Sequence, residues 1–244
     1  MRHAILSDIH SNLPALESVL ARLERESVDH YICLGDLVGY GASPNECCDI
    51  VRALEPSIVR GNHDQAAVEP GGERWFTPAA KACILWTRDQ LTDVNRDFLK
   101  GLKPFVDIPG AHLCHGSLFD ADYYTTTPFE AAASLRVMTE QLCFFGHTHY
   151  AEWFTSCAGQ ERPEQCAAPD GATLRVEDGH KYMVNPGAVG QPRDGNSQAG
   201  YAIWDDVARE IILCRVPYNI RAAQAKMEQA GLPWNMAERL NIGV

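Results

Sequence analysis

The chain has 244 residues, 45% of them hydrophobic and 22% charged, a balance that excludes wholesale disorder and allows a sizeable core without covalent staples. Twenty-one Lys and Arg stand against 32 Asp and Glu, a formal charge of −11. That excess argues against nonspecific nucleic-acid binding, which runs on clustered cations, although a bound metal cation would still let an acidic protein handle anionic substrates.

The elements follow one another in short apolar runs, nearly all ended by a polar cluster. His3–Leu6 reads as a strand stopping at Ser7-Asp8, and Asn12 as the N-cap of a helix carrying Leu16, Val19, Leu20 and Leu23. His30–Leu34 is a second strand, ended by Gly35-Asp36; Pro44–Leu54 is a helix; Ser57–Val59 is a third strand, ended by Gly61-Asn62. Strands alternating with helices through short connections imply parallel pairing with right-handed crossovers. Residues 64 to 101 read as mainly helical, through Ala79–Leu91 and Asn95–Leu99. Phe105–Ile108 and Ala111–Cys114 form a hairpin around Pro109-Gly110, and Leu142–Phe145 a strand ended by Gly146. Ala151–Thr155, Thr173–Val176 and Lys181–Val184 read as antiparallel strands, with 156–171 as an insertion loop. Tyr201–Trp204 and Glu210–Val216 make a hairpin that offers an edge strand to a second copy of the chain, and a helix covers Ala222–Gln229. The expectation is one α/β domain over residues 1–244, with two sheets packed face to face and helices outside. The pattern alone leaves a three-layer sandwich open.

The chain opens MRHAILSD, without a basic-then-apolar leader, and no apolar run approaches the length of a membrane span, so no secretory signal and no membrane segment are predicted. Nine cysteines, five of them within apolar stretches, point to free thiols in a reducing cytoplasm. Cys157 and Cys166 flank a polar segment where they could pair or hold a metal, although no CxxC spacing supports a zinc site.

Five clusters close predicted strands: Asp8-Ile9-His10, Gly35-Asp36, Gly61-Asn62-His63-Asp64, His115-Gly116 and Gly146-His147-Thr148-His149. Loops leaving the carboxyl ends of parallel strands converge on one crevice. Each cluster alone has an ordinary explanation as turn or cap chemistry; five in order, holding five of the nine histidines together with carboxylates and one carboxamide, do not. Imidazole and oxygen donors suit Mn²⁺, Fe, Ni²⁺ or Zn²⁺, and seven or eight donors exceed what one tetrahedral ion needs, so two divalent ions are implied. The alternate spacing of Asp8 with His10, and of His147 with His149, would put each pair on one side of an extended segment. Asp36 has two oxygens with which to bridge an ion pair about 3.5–4 Å apart. Gly35, Gly61 and Gly146 allow the tight turns and close backbone approach such a centre needs.

This motif set resembles the calcineurin-like metallophosphoesterases, and the stretch Asn185-Pro186-Gly187 through Gly195, with the Gly-Leu-Pro of 231–233, is similar to their small prokaryotic phosphodiesterase branch. The resemblance implies a four-layer αββα sandwich with two mixed β-sheets. It places Asp8, His10 and His149 on one metal and Asn62, His115 and His147 on the other, with Asp36 bridging. It implies attack by a metal-bridging hydroxide, with His63 protonating the leaving oxygen and Asp64 orienting His63. Manganese is the first expectation for the metals. The Asp-Arg-Gly of the protein phosphatases of this superfamily is replaced here by Gly35-Asp36-Leu37-Val38-Gly39-Tyr40-Gly41. Loss of that Arg clamp favours a phosphodiester or nucleotide-type substrate over a phosphoprotein. Phosphomonoesterase, protein phosphatase or dinucleoside polyphosphate hydrolase activity is the alternative, and a noncatalytic scaffold the rival of another class. Arg193 and Arg60 are the candidate phosphate contacts, while Tyr40, Tyr123 and Tyr124 are candidates to stack on a nucleobase.

Overall fold

The computed structural model describes residues 1–160 and 162–244. Among these residues twelve strands and eight α-helices order as β1 (Arg2–Leu6), α1 (Leu13–Leu23), β2 (His30–Cys33), α2 (Pro44–Ala53), β3 (Ser57–Ile58), α3 (Asn62–Val68), α4 (Pro78–Gln90), α5 (Asp93–Gly101), β4 (Phe105–Ile108), β5 (Ala111–Cys114), α6 (Pro128–Val137), β6 (Leu142–Phe144), β7 (Ala151–Cys157), β8 (Glu164–Ala167), β9 (Thr173–Arg175), β10 (His180–Pro186), β11 (Ala199–Asp205), β12 (Glu210–Val216), α7 (Ile220–Gln229) and α8 (Trp234–Glu238). A 3₁₀ turn, Gly72–Trp75, lies between α3 and α4.

The strands form two six-stranded sheets, ordered β3-β2-β1-β11-β12-β9 and β4-β5-β6-β10-β7-β8. Both are mixed: β1, β2 and β3 run parallel, as do β5, β6 and β10, with antiparallel strands completing each sheet. Between the sheets lies an apolar layer to which one sheet contributes Ile5, Ile32, Ala202 and Trp204 and the other Leu113, Phe144, Tyr182 and Val184. On the outer face of the first sheet, Leu6, Cys33 and Tyr201 meet Leu16, Val19 and Leu23 of α1 and Cys47, Cys48 and Val51 of α2. On the outer face of the second, Cys143, Phe154 and Met183 meet Ala131 and Leu135 of α6. This is the four-layer αββα arrangement, and the three-layer alternative is excluded.

Local chemistry starts the helices. Asn12 accepts from the Ala15 amide ahead of Pro14, and Thr77 from the Ala80 amide ahead of Pro78. Thr127 and Glu130 form a capping box around Pro128. α6 has no counterpart in the sequence reading: its buried face is two alanines, a serine and one leucine, so the amphipathic period is faint and the capping box was its legible signal.

Two expectations are corrected. The 156–171 stretch is not simply an insertion loop: β7 runs on to Cys157, and β8 pairs antiparallel with it, Trp153 opposite Cys166, as the outer strand of its sheet. Residue 161 lies outside the described residues. The 201–216 hairpin offers no free edge, because β11 sits between β1 and β12, and β9 with the Asp170–Ala172 segment covers β12. Among the described residues all nine cysteines are free thiols, Cys157 and Cys166 included. Among the described residues no helix is long and apolar enough to cross a membrane.

Candidate active site

The parallel strands deliver the five clusters to one crevice. Asp8 and His10 follow β1, Asp36 follows β2, His115 follows β5, and His147 and His149 follow β6, while Asn62 to Asp64 open α3 just after β3. All but Asn62 are buried.

Donor atoms converge in two groups, Asp8–His10–Asp36–His149 and Asp36–His115–His147, which share Asp36. The Asp36 Oδ2 lies 3.5 Å from His10 Nε2 and 3.2 Å from His115 Nε2, and Asp8 Oδ1 lies 3.3 Å from His149 Nε2. Asn62 Oδ1 is buried without a hydrogen-bond partner.

The backbone that carries these donors is not extended. Asp8, His10, Asp36, His147 and His149 all have φ between 48° and 67°, the left-handed region in which non-glycine residues are strained. Regular strand spacing therefore does not place the donors: Asp8 and His10 still share one donor group, as expected, but His147 and His149 turn apart, one into each. Such strain persists because the surroundings hold it. Asn185 donates to the Gly146 carbonyl and to Thr148 Oγ1, each at 2.9 Å, pinning the turn between β6 and β7, and Ser7 Oγ donates to Asp8 Oδ2 at 2.6 Å. A Cβ on Gly61 would drive into the Asp36 carboxylate, and one on Gly146 into the Ser7 hydroxyl.

Tautomers are set from behind. The Nδ1 atoms of His10, His115 and His149 each face a backbone carbonyl, of Val38 (3.1 Å), Leu34 (2.7 Å) and Gln191 (2.5 Å). Each Nδ1 must carry a proton, which leaves Nε2 as the ring atom that faces the crevice and the one that can offer a lone pair when the ring is neutral. His147 offers Nδ1 instead, 3.1 Å from His115 Nε2.

The charges fit a cation. Burial pushes the Asp8 carboxyl up to about 6 and the Asp64 carboxyl up to about 7, the cost of holding carboxylates away from water. Burial also lowers His10 to about 4 and His147 to about 3, and holds His63 and His149 well below the usual histidine range, so these rings are neutral. His115 goes the other way: against its burial, Asp36 raises it to about 10. With both Nδ1 atoms protonated, His10 Nε2 and His149 Nε2 point lone pairs at each other across 3.2 Å, an arrangement that a shared cation resolves. The donors present thus fit divalent metal ions.

His63 is buried, its ring edge-on to His10 and Phe76 and tilted against Tyr40, and its Nδ1 has no hydrogen-bond partner. Asp64 does not reach that ring. Its carboxylate accepts four backbone N–H bonds, from Asp36, Leu37, Val38 and Gly61, and so knits the β2 and β3 loops together. The imidazole that Asp64 was expected to orient therefore makes no hydrogen bond to it among the described residues. Arg193 lies beside the centre: its backbone N–H donates to the His149 carbonyl, its NH2 group donates to the Tyr40 hydroxyl and to Gln191 Oε1, and its Nε is unpaired. Arg60 turns towards Glu69, 3.9 Å away. Of the tyrosines, Tyr40 is buried, whereas Tyr124 is half exposed with its ring on His147 at a centroid distance of 3.8 Å. The sequence reading missed Ser7 and Asn185 as holding groups.

A crystal structure of a metallophosphoesterase from Sphaerobacter thermophilus is similar to this chain over 100% of both, at 38% identity and a TM-score of 0.88. An uncharacterised protein of Methanocaldococcus jannaschii is 33% identical over 251 residues, covering 98% of this chain and 97% of the relative. A hypothetical protein from Pyrococcus horikoshii OT3, 20% identical over 100% of this chain and 98% of its own, shares the fold with a TM-score of 0.81. Two mixed sheets around a buried Asp/His cluster make this a metallophosphoesterase architecture. Residues 1–207 match the calcineurin-like phosphoesterase superfamily domain, and the chain belongs to that superfamily of phosphoester hydrolases.

Proposed function

We propose that the chain hydrolyses phosphodiesters, nucleotide-type substrates among them, using two divalent transition-metal ions, with Mn²⁺ the first candidate. The observation that carries this reading is the single carboxylate, Asp36, common to two converging donor groups. Asp8, His10 and His149 would hold one ion, and Asn62, His115 and His147 the other, with Asp36 between them. Bound there, the ions supply Lewis-acid polarisation of the phosphate and activation of water.

The chain's own residues do the rest. His63, in the same crevice, delivers a proton to the leaving oxygen; the phosphate anion beside it supplies the negative charge that favours its protonated form. Arg193 directs its guanidinium to a non-bridging phosphate oxygen, and Tyr40 holds it there through the 3.2 Å hydrogen bond. One such arginine, without the Asp-Arg-Gly clamp, suits a monoanionic diester better than a dianionic monoester. Because the donors come from both sheets, the site supports residues 1–244 working as one domain, and the free thiols suit a cytoplasmic setting.

The test is the protein stripped of metal, refilled with Mn²⁺ and assayed on matched aryl phosphate diester and monoester. Faster diester cleavage is expected; faster monoester cleavage would move the assignment to a phosphatase, and no turnover with two ions bound would make the chain a scaffold. His63→Ala is expected to keep both ions while losing roughly 10²–10⁴ in turnover, and unchanged turnover would remove His63 from the reaction.

A further inference from the structure

The crevice opens into a cleft of about 610 Å³ whose walls include Asn62, His63 and His147 from the centre and Trp75, Phe76 and Tyr124 from the rim. That is the size of a small-molecule site. Trp75 is 85% exposed and Tyr124 50% exposed. An indole left almost bare at the mouth of a reaction centre is costly in water and suited to a flat partner. Phe76 packs edge-on against His63 and Tyr124 lies on His147, so the rim rings are continuous with the rings that face the phosphate.

Which part of a substrate enters follows from His63. The group that protonates the leaving oxygen lines this cleft, so the leaving alcohol must extend into it. Beyond the centre, the polar residues of the lining are Gln65, Thr77, Asp122, Tyr40 and Tyr124, with neither Lys nor Arg among the described lining residues. A leaving group bearing further phosphates would meet Asp122 and find no counter-charge there. Arg193 is not part of this wall.

We infer that this cleft is a leaving-group subsite for an uncharged alcohol carrying a flat aromatic ring, a nucleoside above all, stacked between Trp75 and Tyr124. The inference rests on the phosphodiesterase reading of the same site and narrows it: a diester whose departing half is a nucleoside is a substrate, and a dinucleoside polyphosphate is not.

Two measurements test it. Titrating the purified protein with adenosine, which has no phosphate to cleave, is expected to quench tryptophan fluorescence saturably. The quench is expected to vanish in Trp75→Phe and to weaken in Tyr124→Ala; absence of saturable quenching in the wild type overturns the subsite whatever the esterase assay gives. Second, the Mn²⁺-loaded enzyme is compared on a dinucleoside monophosphate and on the same diester with an abasic leaving sugar. Stacking on an aromatic side chain predicts about a tenfold preference in kcat/KM for the intact nucleoside, shrinking towards parity in Trp75→Ala. Equal rates in the wild type overturn the subsite and leave the phosphodiesterase reading standing. Cleavage of neither, nor of a simple aryl diester, overturns both.

Discussion

At the residue scale, the centre is made of strained backbone held by its neighbours, and this makes residues outside the donor set decisive. Gly39 has a φ of 90°, and a Cβ there would collide with Nδ1 of His63. Gly39→Ala is therefore expected to displace the His63 ring, cutting turnover by about the 10²-fold or more that the proposed proton donor would contribute, while metal content stays that of the wild type. Metal analysis beside steady-state kinetics checks this; full turnover would mean that the ring does not need its present place. The donors were legible in the sequence because imidazole and carboxylate types recur at strand ends. Their partition between two groups was not legible from spacing, because it depends on left-handed backbone at Asp8, His10, Asp36, His147 and His149, and spacing arguments assume regular strands. Asn185 stayed hidden for a related reason: a strand-end Asn looks like any turn residue until its amide is seen bridging the Gly146 carbonyl and Thr148.

At the scale of elements, β8 has structural work that its composition conceals. Gln165 on β8 donates to Glu152 Oε2 at 2.7 Å and to the Thr126 carbonyl at 3.0 Å, tying β7 to the loop that ends in α6 and carries Tyr124. A four-residue strand of Glu, Gln, Cys and Ala has little β propensity, so pairing with β7 overrides it. The parallel strands were legible because each is a short apolar run closed by a polar cluster, whereas β8 is polar and peripheral. Glu152 is 7% exposed, and burial raises its carboxyl to about 7. The folded state therefore binds a proton that the unfolded chain releases near pH 4.3, so this residue's contribution to stability falls as pH rises from about 4.3 to about 7. Glu152→Gln mimics the protonated acid and keeps an acceptor for Gln165. It is expected to stabilise the fold by roughly 1–3 kcal/mol at pH 8 and by almost nothing at pH 4. Denaturant unfolding at the two pH values decides it; equal effects at both would show that the Glu152 charge is well solvated.

At the scale of the whole molecule, the site sits where the two sheets meet, so its charge balance is also the balance of the fold. Asp8, Asp36 and Asp64 place three carboxylates in one buried region, with Arg193 and a protonated His115 as the positive charges acting on Asp8 among the described residues. Burying such charge without a partner costs several kcal/mol, which metal binding offsets only when the ions are present. Stripping the ions is therefore expected to lower Tm by roughly 5–10 °C, the shift that ligand present at about a hundred times its Kd gives a domain of this size. Asp8→Asn separates the two effects. It removes one buried charge, keeps an acceptor for Ser7, and weakens one donor group, so its metal-free Tm should rise above that of the metal-free wild type while its gain on adding Mn²⁺ shrinks. Calorimetry on four samples, wild type and variant with and without Mn²⁺, reads this directly. A metal-free Tm below the wild type's would show that the Asp8 carboxylate holds the strained β1 loop together on its own, and that the centre is organised by its hydrogen bonds before any ion arrives.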